Sequence, residues 1–132
     1  TGTFSADGDL AFVPTTATRL MDTRSVLGGW YGRHGTAQVI DVLAAPPGAK
    51  AVSGTITIVR PMFKGWLTAY ACGQALPPTS SVNAAAGIVM ANSLTVGINE
   101  ATQTLCSRAQ HSTHTLFDAV GWWVDAPPPL AM

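Results

Sequence analysis

Residues 49–59, with the sequence AKAVSGTITIV, decide the fold class of this chain. Val52, Ile56 and Ile58 alternate there with side chains that carry hydroxyl groups. A period of two is typical of a strand with one face on a core and the other in water. Pro61 cannot continue a sheet ladder, so the strand is expected to end before it. The segment therefore predicts a half-buried β-strand.

The rest of the chain repeats this pattern in short runs. Turn residues separate the runs about every ten residues, which is the spacing expected of a sandwich or barrel. No run shows the apolar stripe of a helix over two turns. The other candidate strands are 16–23, 36–43, 65–72, 80–84, 88–98, 102–106 and 112–124. The sequence predicts an all-β fold, an antiparallel, jelly-roll-like β-sandwich of eight or nine short strands.

The composition fits one neutral domain. The chain has 132 residues, of which 47% are hydrophobic and 11% charged, so intrinsic disorder is excluded for its bulk. Seven basic and seven acidic side chains cancel, which argues against a nucleic-acid partner. No apolar run approaches the ~20 residues of a membrane helix. We expect a leader or linker at 1–9, the folded module at 10–124 and a proline-rich tail at 125–132.

Cys72 and Cys106 each lie at the predicted end of a strand. They could be buried thiols, metal ligands or the two halves of a disulfide. A structural zinc site normally needs four closely spaced ligands, and neither cysteine belongs to a C-x-x-C motif. A disulfide is favoured if the chain folds in an extracellular setting.

Six short motifs follow one another along residues 12–123. They are RLMDTR at 19–24, PGAKAV at 47–52, GWLTAYACG at 65–73, PTSSVN at 78–83, ANSLTV at 91–96 and THTLFDAVGW at 113–122. In this order they resemble a β-sandwich module of secreted actinobacterial proteins, in which the motifs RLLDTR, GYLTVYPCG and DVQGY occur.

The resemblance implies a binding or adhesion domain without catalytic residues. Such modules are attached to secreted hydrolases or surface proteins, or are repeated in tandem. The resemblance also implies a disulfide between Cys72 and Cys106, which match the two cysteine positions of the family. The excess of arginine over lysine and the abundant alanine are typical of a GC-rich genome, that of an actinobacterium or its phage.

Four polar residues invite comparison with a hydrolase. Alternate side chains of a strand share a face, so Asp22 accompanies Arg24, and His114 accompanies Asp118. A triad also needs a nucleophile, and the chain has no Gly-x-Ser-x-Gly elbow. We therefore expect Arg24 to form a bidentate pair with Asp118 or Asp22. The expected structural residues are Asp22, Arg24, Asn83, Asn92, His114 and Asp118, with the two asparagines bonding backbone groups of loops.

The histidines and acidic residues do not follow a metal-site pattern. His34, His111 and His114 are scattered, and Asp7 with Asp9 is a short acidic pair rather than a calcium loop. We expect no catalytic residue, no metal and no cofactor.

The glycine-rich loop at 25–35 points toward a partner. A core segment has little reason to carry four glycines around two large aromatics, and loops on a sandwich commonly carry contacts. Such aromatics could stack on a sugar ring or anchor a protein, although tryptophans can also cap a core. Adjacent strand residues face opposite sides, so one of Trp122 and Trp123 is expected in the core. The expected contact residues are Trp30, Tyr31, Arg33, Trp66 and Trp123.

Two functions are consistent with these patterns. The first is an extracellular binding or attachment module that recognises a cell-envelope glycan or anchors a surface protein. The alternative is a structural component of a phage virion, such as a tail or head decoration module, or of an extracellular assembly. The expected partner is a glycan or a neighbouring protein subunit, with no nucleic acid and no membrane span. We expect the chain at a cell or virion surface, as part of an oligomer or a tandem array.

Overall fold

The computed structural model describes residues 10–25, 27, 30–36, 38–42, 45–77 and 80–126. Within these ranges the chain forms eight strands and no helix. The strands are β1 (Leu10–Asp22), β2 (Gln38–Asp41), β3 (Ala51–Val59), β4 (Gly65–Ala71), β5 (Val82–Ala84), β6 (Val89–Gly97), β7 (Thr104–Ala109) and β8 (His114–Asp125).

The strands form two sheets of four, with the order β1-β8-β3-β6 in the first sheet and β2-β7-β4-β5 in the second. The pairs β1·β8, β2·β7, β3·β6 and β4·β5 are all antiparallel. This is the pairing of one long hairpin that has been folded over into two layers, the jelly-roll arrangement. The predicted antiparallel β-sandwich is confirmed.

The hydrophobic core lies between the two sheets. Val52, Ile56 and Ile58 of β3 point into it and are almost inaccessible, as their alternation predicts. From β8, Phe117 and Trp122 add the largest rings. Burying each such side chain stabilises the fold by roughly 1.5–3 kcal/mol, so this layer supplies most of the driving force for folding.

A disulfide joins Cys72, which follows β4, to Cys106 of β7, with the two Cα atoms 5.0 Å apart. Tyr70 of β4 pairs in register with Cys106, so the bridge crosslinks adjacent strands of the second sheet. The predicted disulfide is confirmed.

Several strands are one or two residues shorter at an end than predicted, and the differences at β1 and β7 have clear local reasons. Strand β1 begins at Leu10 rather than at residue 16. The earlier start was not predicted, because β1 is an exposed edge strand whose sequence lacks the alternation of a half-buried one. An edge strand tolerates Pro14, since proline is confined to such positions in sheets. Strand β7 begins at Thr104 rather than at residue 102. The Asn99 carboxamide oxygen accepts the N–H groups of residues 101 and 102 and holds that segment in a turn.

Some expectations fall outside the described residues. These are the leader or linker at 1–9, with its pair of aspartates, Gly28 and Gly29 of the glycine-rich loop, and the three prolines at 127–129. Among the residues that the structure does describe, no helix has the length and hydrophobicity needed to cross a bilayer.

Candidate functional site

Four loops meet at one end of the sandwich, which we call the loop end. They are 23–37, 60–64, 85–88 and 110–113. Backbone hydrogen bonds join them: His34 and Thr113 exchange two bonds of 2.9 and 3.1 Å, and the Met62 N–H donates to the Ser112 carbonyl at 3.0 Å. The 85–88 loop likewise donates to the 60–64 loop. The loop end is therefore a connected surface rather than four separate loops.

The chain enters and leaves the sandwich at the opposite end, which we call the terminal end. Leu10, the first residue of β1, pairs in register with Asp125, the last residue of β8. The loop end thus faces away from the points where the sandwich joins the rest of the chain.

His34 fixes the 23–37 loop to the sandwich. Its ring is buried, its Nδ1 donates to the Thr36 carbonyl at 3.0 Å, and its Nε2 lies 2.8 Å from the Thr115 hydroxyl. A carbonyl oxygen only accepts, so the ring proton sits on Nδ1 and the Thr115 hydroxyl donates to Nε2. Burial lowers the pKa of His34, which keeps this neutral form at pH 7. These two hydrogen bonds hold the backbone around His34 in place on the sandwich.

Asp22 organises the start of the same loop. Its Oδ1 accepts both the backbone N–H and the Nε of Arg24, each at 3.0 Å, and its Oδ2 accepts Nη2 of Arg24 at 3.0 Å. Of the two partners considered for Arg24, the structure therefore places Asp22 against it. The hydrogen bond from Arg24 holds the pKa of the Asp22 carboxyl below its usual range.

Asp118 has a different partner, which the sequence did not indicate. Arg19 donates to the two carboxylate oxygens of Asp118 at 2.7 and 3.2 Å, and its Nη1 also reaches Asp22 at 3.3 Å. The β1–β8 register places Arg19 directly opposite Asp118. A pairing between residues 99 positions apart could be found only by knowing that register.

A cleft of about 340 Å³ opens next to these pairs. It lies at the loop end on the outer face of the first sheet, where Val59 of β3 faces both His114 and Val89 in register. Its lining combines four nitrogen-bearing side chains with three apolar ones: Arg24, Arg33, Arg60, His114, Val59, Val89 and Leu116.

Positively charged side chains line the cleft, and His114 lies among them. Burial lowers the pKa of His114, and the charges of Arg33 and Arg24 lower it further, against an opposing effect of Asp22. The ring is fixed by a 2.9 Å hydrogen bond between its Nδ1 and the Thr23 hydroxyl. His114 is thus held in the cleft as a neutral, orientated ring.

Arg33 and Arg60 form the other wall. The Arg33 guanidinium donates to the backbone carbonyl of Arg60, a neutral acceptor that leaves its charge unbalanced. Arg60 itself has φ = 50°, in the left-handed region that a residue with a side chain seldom adopts. Among the described residues, the Arg60 side chain has no carboxylate within ion-pair distance. No pattern in the sequence singled out Arg60.

The aromatic residues of the same loop are exposed. Tyr31 exposes 75% of its surface and Trp30 exposes 36%. The Trp30 indole meets the buried His34 ring edge-on, with the ring centres 6.3 Å apart. Trp30 is therefore anchored on one side, whereas Tyr31 projects into solvent.

Trp66 lines a second cleft of about 310 Å³, beside the loop end and on the second sheet. Trp66 pairs in register with Asn83, and both are on the outer face. The cleft is completed by Lys64, Gly65, Ala84 and Gln110. A half-buried indole flanked by side-chain amides has the parts of a sugar-stacking platform.

Trp123 is not brought together with these residues. It lies on the outer face of β8 near the terminal end, where its ring centre is 5.1 Å from that of Phe12 and its Nε1 donates to the Ser53 hydroxyl at 2.8 Å. Trp122, its neighbour, is buried in the core with 3% exposure. The pair therefore divides between the two faces, as adjacent strand residues do.

The two asparagines serve as local braces. Asn92 donates to the Ser81 carbonyl at 2.9 Å, which is a backbone group, whereas Asn83 exchanges hydrogen bonds with the Ser80 hydroxyl. Both side chains are on the surface rather than inside the apolar segments that contain them.

The hydroxyl beside the His114 ring is enclosed by the fold. Thr23, the hydroxyl beside the ring, is fully buried and also accepts the Thr115 N–H at 2.9 Å. A hydroxyl in this position cannot reach a substrate. Within the described ranges, no three histidine, cysteine or acidic side chains converge in a way that could hold a metal ion.

Comparison with family models, with curated proteins and with solved structures found no match to this chain.

Proposed function

We propose that this chain is a non-catalytic extracellular binding module that attaches to a cell-envelope glycan through its loop end. The observation that carries the proposal is the polarity of the sandwich. Strand β1 begins and β8 ends at the terminal end, whereas Trp30, Tyr31 and both clefts lie toward the loop end. A module attached to other domains through its terminal end would present the loop end to a surface.

The chemistry of the loop end suits a sugar polymer. Tyr31 and Trp66 offer flat rings, and aromatic faces are well matched to the apolar faces of sugar rings. Asn83 and Gln110 beside Trp66, together with Arg33 near Tyr31, offer hydrogen bonds to hydroxyl groups. The two clefts lie on the outer faces of the two sheets, so a polymer that contacts both must cross the loop end.

An extracellular setting is compatible with the disulfide. Bridges persist in oxidising compartments and are rare in the cytosol. The Cys72–Cys106 bridge closes a loop of 34 residues in sequence separation, so it stabilises the fold only where it stays oxidised.

Retention on insoluble cell-wall material of an actinobacterium tests the proposal. Tyr31→Ala and Trp66→Ala are each expected to lower the retained fraction severalfold, because each removes a stacking surface. Val39→Ala is the matched control, since Val39 is exposed on the second sheet but lines neither cleft. Equal retention of all three variants and the parent chain would contradict the proposal, as would no retention of the parent chain.

One observation favours the second function, a structural part of a virion or extracellular assembly. Five large apolar residues at or beside the loop end are about half exposed: Met62, Phe63, Ile88, Val89 and Met90. Exposed apolar residues in a group mark protein contacts, and jelly rolls occur in viral capsids as well as in lectins. Sedimentation velocity distinguishes the functions. Association that rises with concentration and disappears in Phe63→Ser would favour the assembly role.

A further inference from the structure

We infer that the cleft bounded by Arg24, Arg33 and Arg60 is an anion-binding site, which takes a carboxylate or phosphate group carried by the envelope polymer. The choice of polymer rests on the proposed function. The anion site itself rests only on the cleft.

The first argument is the charge balance around the cleft. Arg19, Arg24, Arg33 and Arg60 bring four guanidinium groups to this corner of the first sheet, whereas the carboxylates that pair with them belong to Asp22 and Asp118. Two positive charges therefore remain unbalanced by any described residue. In a chain whose total formal charge is zero, this is a local concentration of positive charge.

The second argument is that these cations are held in place. Arg24 is fixed by its bidentate pair with Asp22, and Arg33 is fixed by the carbonyl of Arg60. Neither fixed side chain has used all of its N–H donors, because a guanidinium group carries five. A planar, orientated fork is the geometry that binds carboxylate and phosphate oxygens in pairs.

The third argument is the backbone at Arg60. Its positive φ is unfavourable for a residue with a side chain, and such conformations concentrate where function requires them. The conformation places Arg60 at the rim of the cleft, where its charge adds to that of Arg33. Like charges placed together weaken the unliganded fold, and a bound anion removes that repulsion.

The walls and the volume set what the cleft can hold. Val59, Val89 and Leu116 provide an apolar lining that raises the strength of a charge–charge contact relative to open water. A volume of about 340 Å³ is at the lower end of the roughly 300–1,000 Å³ of small-ligand pockets. One charged group and the sugar or polyol unit that carries it would fill the cleft.

Calorimetric titration with three polymers tests the inference: polygalacturonate as a carboxylate polymer, poly(glycerol phosphate) as a phosphate polymer, and dextran as a neutral one. At least one anionic polymer is expected to bind, and dextran is expected to bind at least tenfold more weakly. Added salt should weaken the anionic contact, because it screens partly exposed charges. Equal affinity for dextran and both anionic polymers would overturn the inference.

The variant Arg60→Gln should weaken binding of the anionic polymer about tenfold, the loss expected when a charged hydrogen bond is removed. Arg60→Lys should retain an intermediate affinity, because it keeps the charge without the planar fork. Arg108→Gln is the matched control, since Arg108 is an exposed arginine of the second sheet that lines neither cleft. Equal affinities of Arg60→Gln and Arg108→Gln would overturn the inference, provided that both variants melt as the parent chain does.

The inference and the proposed function can fail separately. Cell-wall retention that is lost in Tyr31→Ala but unchanged in Arg60→Gln would leave the function standing and overturn the anion site. Conversely, the anion site would stand without the function if the wall material is not retained while inorganic phosphate still shifts the His114 ring resonances of the parent chain and not those of Arg60→Gln.

Discussion

The two ends of the sandwich differ in how their charged side chains are paired. At the terminal end, Lys50 lies between Glu100 and Asp125, at 2.9 and 3.9 Å, so charges of both signs meet there. At the loop end, Arg33 donates to a backbone carbonyl, and Arg60 has no carboxylate partner among the described residues. Both ends contain ion pairs, but the loop end also holds Arg33 and Arg60, whose charges no described carboxylate balances.

The terminal end also holds the main covalent and turn constraints. The Asn99 side chain donates to the Cys72 carbonyl at 2.8 Å and accepts two backbone N–H groups of its own turn. The disulfide ties Cys72 to β7 in the same region. The disulfide and the Asn99 turn thus brace the terminal end, whereas the two clefts lie toward the loop end. Variants that change one region at a time test this division.

Removal of the disulfide should have the largest effect on stability. The double variant Cys72→Ala, Cys106→Ala is expected to lose about 3–4 kcal/mol of unfolding free energy, because the unfolded chain regains the freedom of a long loop. Chemical denaturation measures this loss. At temperatures where the variant remains folded, its binding at the loop end should be unchanged. A folded variant that no longer binds would break the division between the two ends.

Asp22→Asn should have the next largest effect, at the loop end. The substitution removes the charge that holds Arg24 and, at longer range, Arg19. We expect a loss of about 1–2 kcal/mol, the cost of weakening charged hydrogen bonds to a largely buried group. Thermal unfolding is the measurement.

Asp118→Asn is the control for that variant. Asp118 is more exposed than Asp22 and, among the described residues, forms an ion pair only with Arg19, so its loss should be smaller. Equal losses for the two variants would show that Asp22 does not organise the loop as its four short contacts indicate.

Acidification should weaken the fold through His34. Its pKa is lowered by burial, so below the ordinary value of about 6.5 the unfolded state binds the proton first. Stability is therefore present above that pH and is lost as the pH falls below it, by at most about 1.4 kcal/mol per pH unit for one ring.

Denaturation of the parent chain and His34→Asn between neutral and mildly acidic pH measures this dependence. The variant is expected to be less stable at pH 7 and to show a shallower loss on acidification. His114→Asn should remove a smaller part of the slope, because that ring is more exposed. If the dependence of stability on pH has the same slope in His34→Asn as in the parent chain, His34 does not titrate as its burial requires.

Ser107→Ala should have the smallest effect. Ser107 lies between the two ends in β7, fully buried, and its hydroxyl has no hydrogen-bond partner among the described residues. Removing an unsatisfied hydroxyl is expected to change stability by less than about 0.5 kcal/mol, or to raise it slightly. Thr115→Val is the contrast, since it removes the hydroxyl that bonds Nε2 of the buried His34 ring and should cost about 1–3 kcal/mol. A large loss in Ser107→Ala would contradict this assignment.

The sequence predicted most of the fold because burial leaves a periodic trace. The alternation of Val52, Ile56 and Ile58 identified β3, and the six motifs implied the bridge that the structure contains. The first half of β1 left no such trace, since an edge strand exposed to solvent has no need to alternate. Pro14 also argued against a strand there, since proline is rare inside sheets.

The candidate site was less predictable because topology assembles it. Arg33 stood out in its glycine-rich loop, but Arg60 of the 60–64 loop and Val89 of β6 are distant from it in sequence. The pairing of β3 with β6 places Arg60 near Val89, and the meeting of the loops brings Arg33 to them. The same cause explains Arg19, whose partner is fixed by the register of β1 on β8. Spacing along the chain carries no information on such contacts. The register of the sheets does.

The measurement that tests the division between the two ends most directly is a chemical-shift map of the ¹⁵N-labelled chain during addition of solubilised actinobacterial cell-wall fragments. The backbone amides of Tyr31, Arg33 and Arg60 and the indole N–H of Trp30 are expected to shift. The amides of Glu100 and Asp125 at the terminal end should stay in place. Shifts centred on the terminal end, or on Trp123 and Phe12 instead of the loop end, would contradict the account.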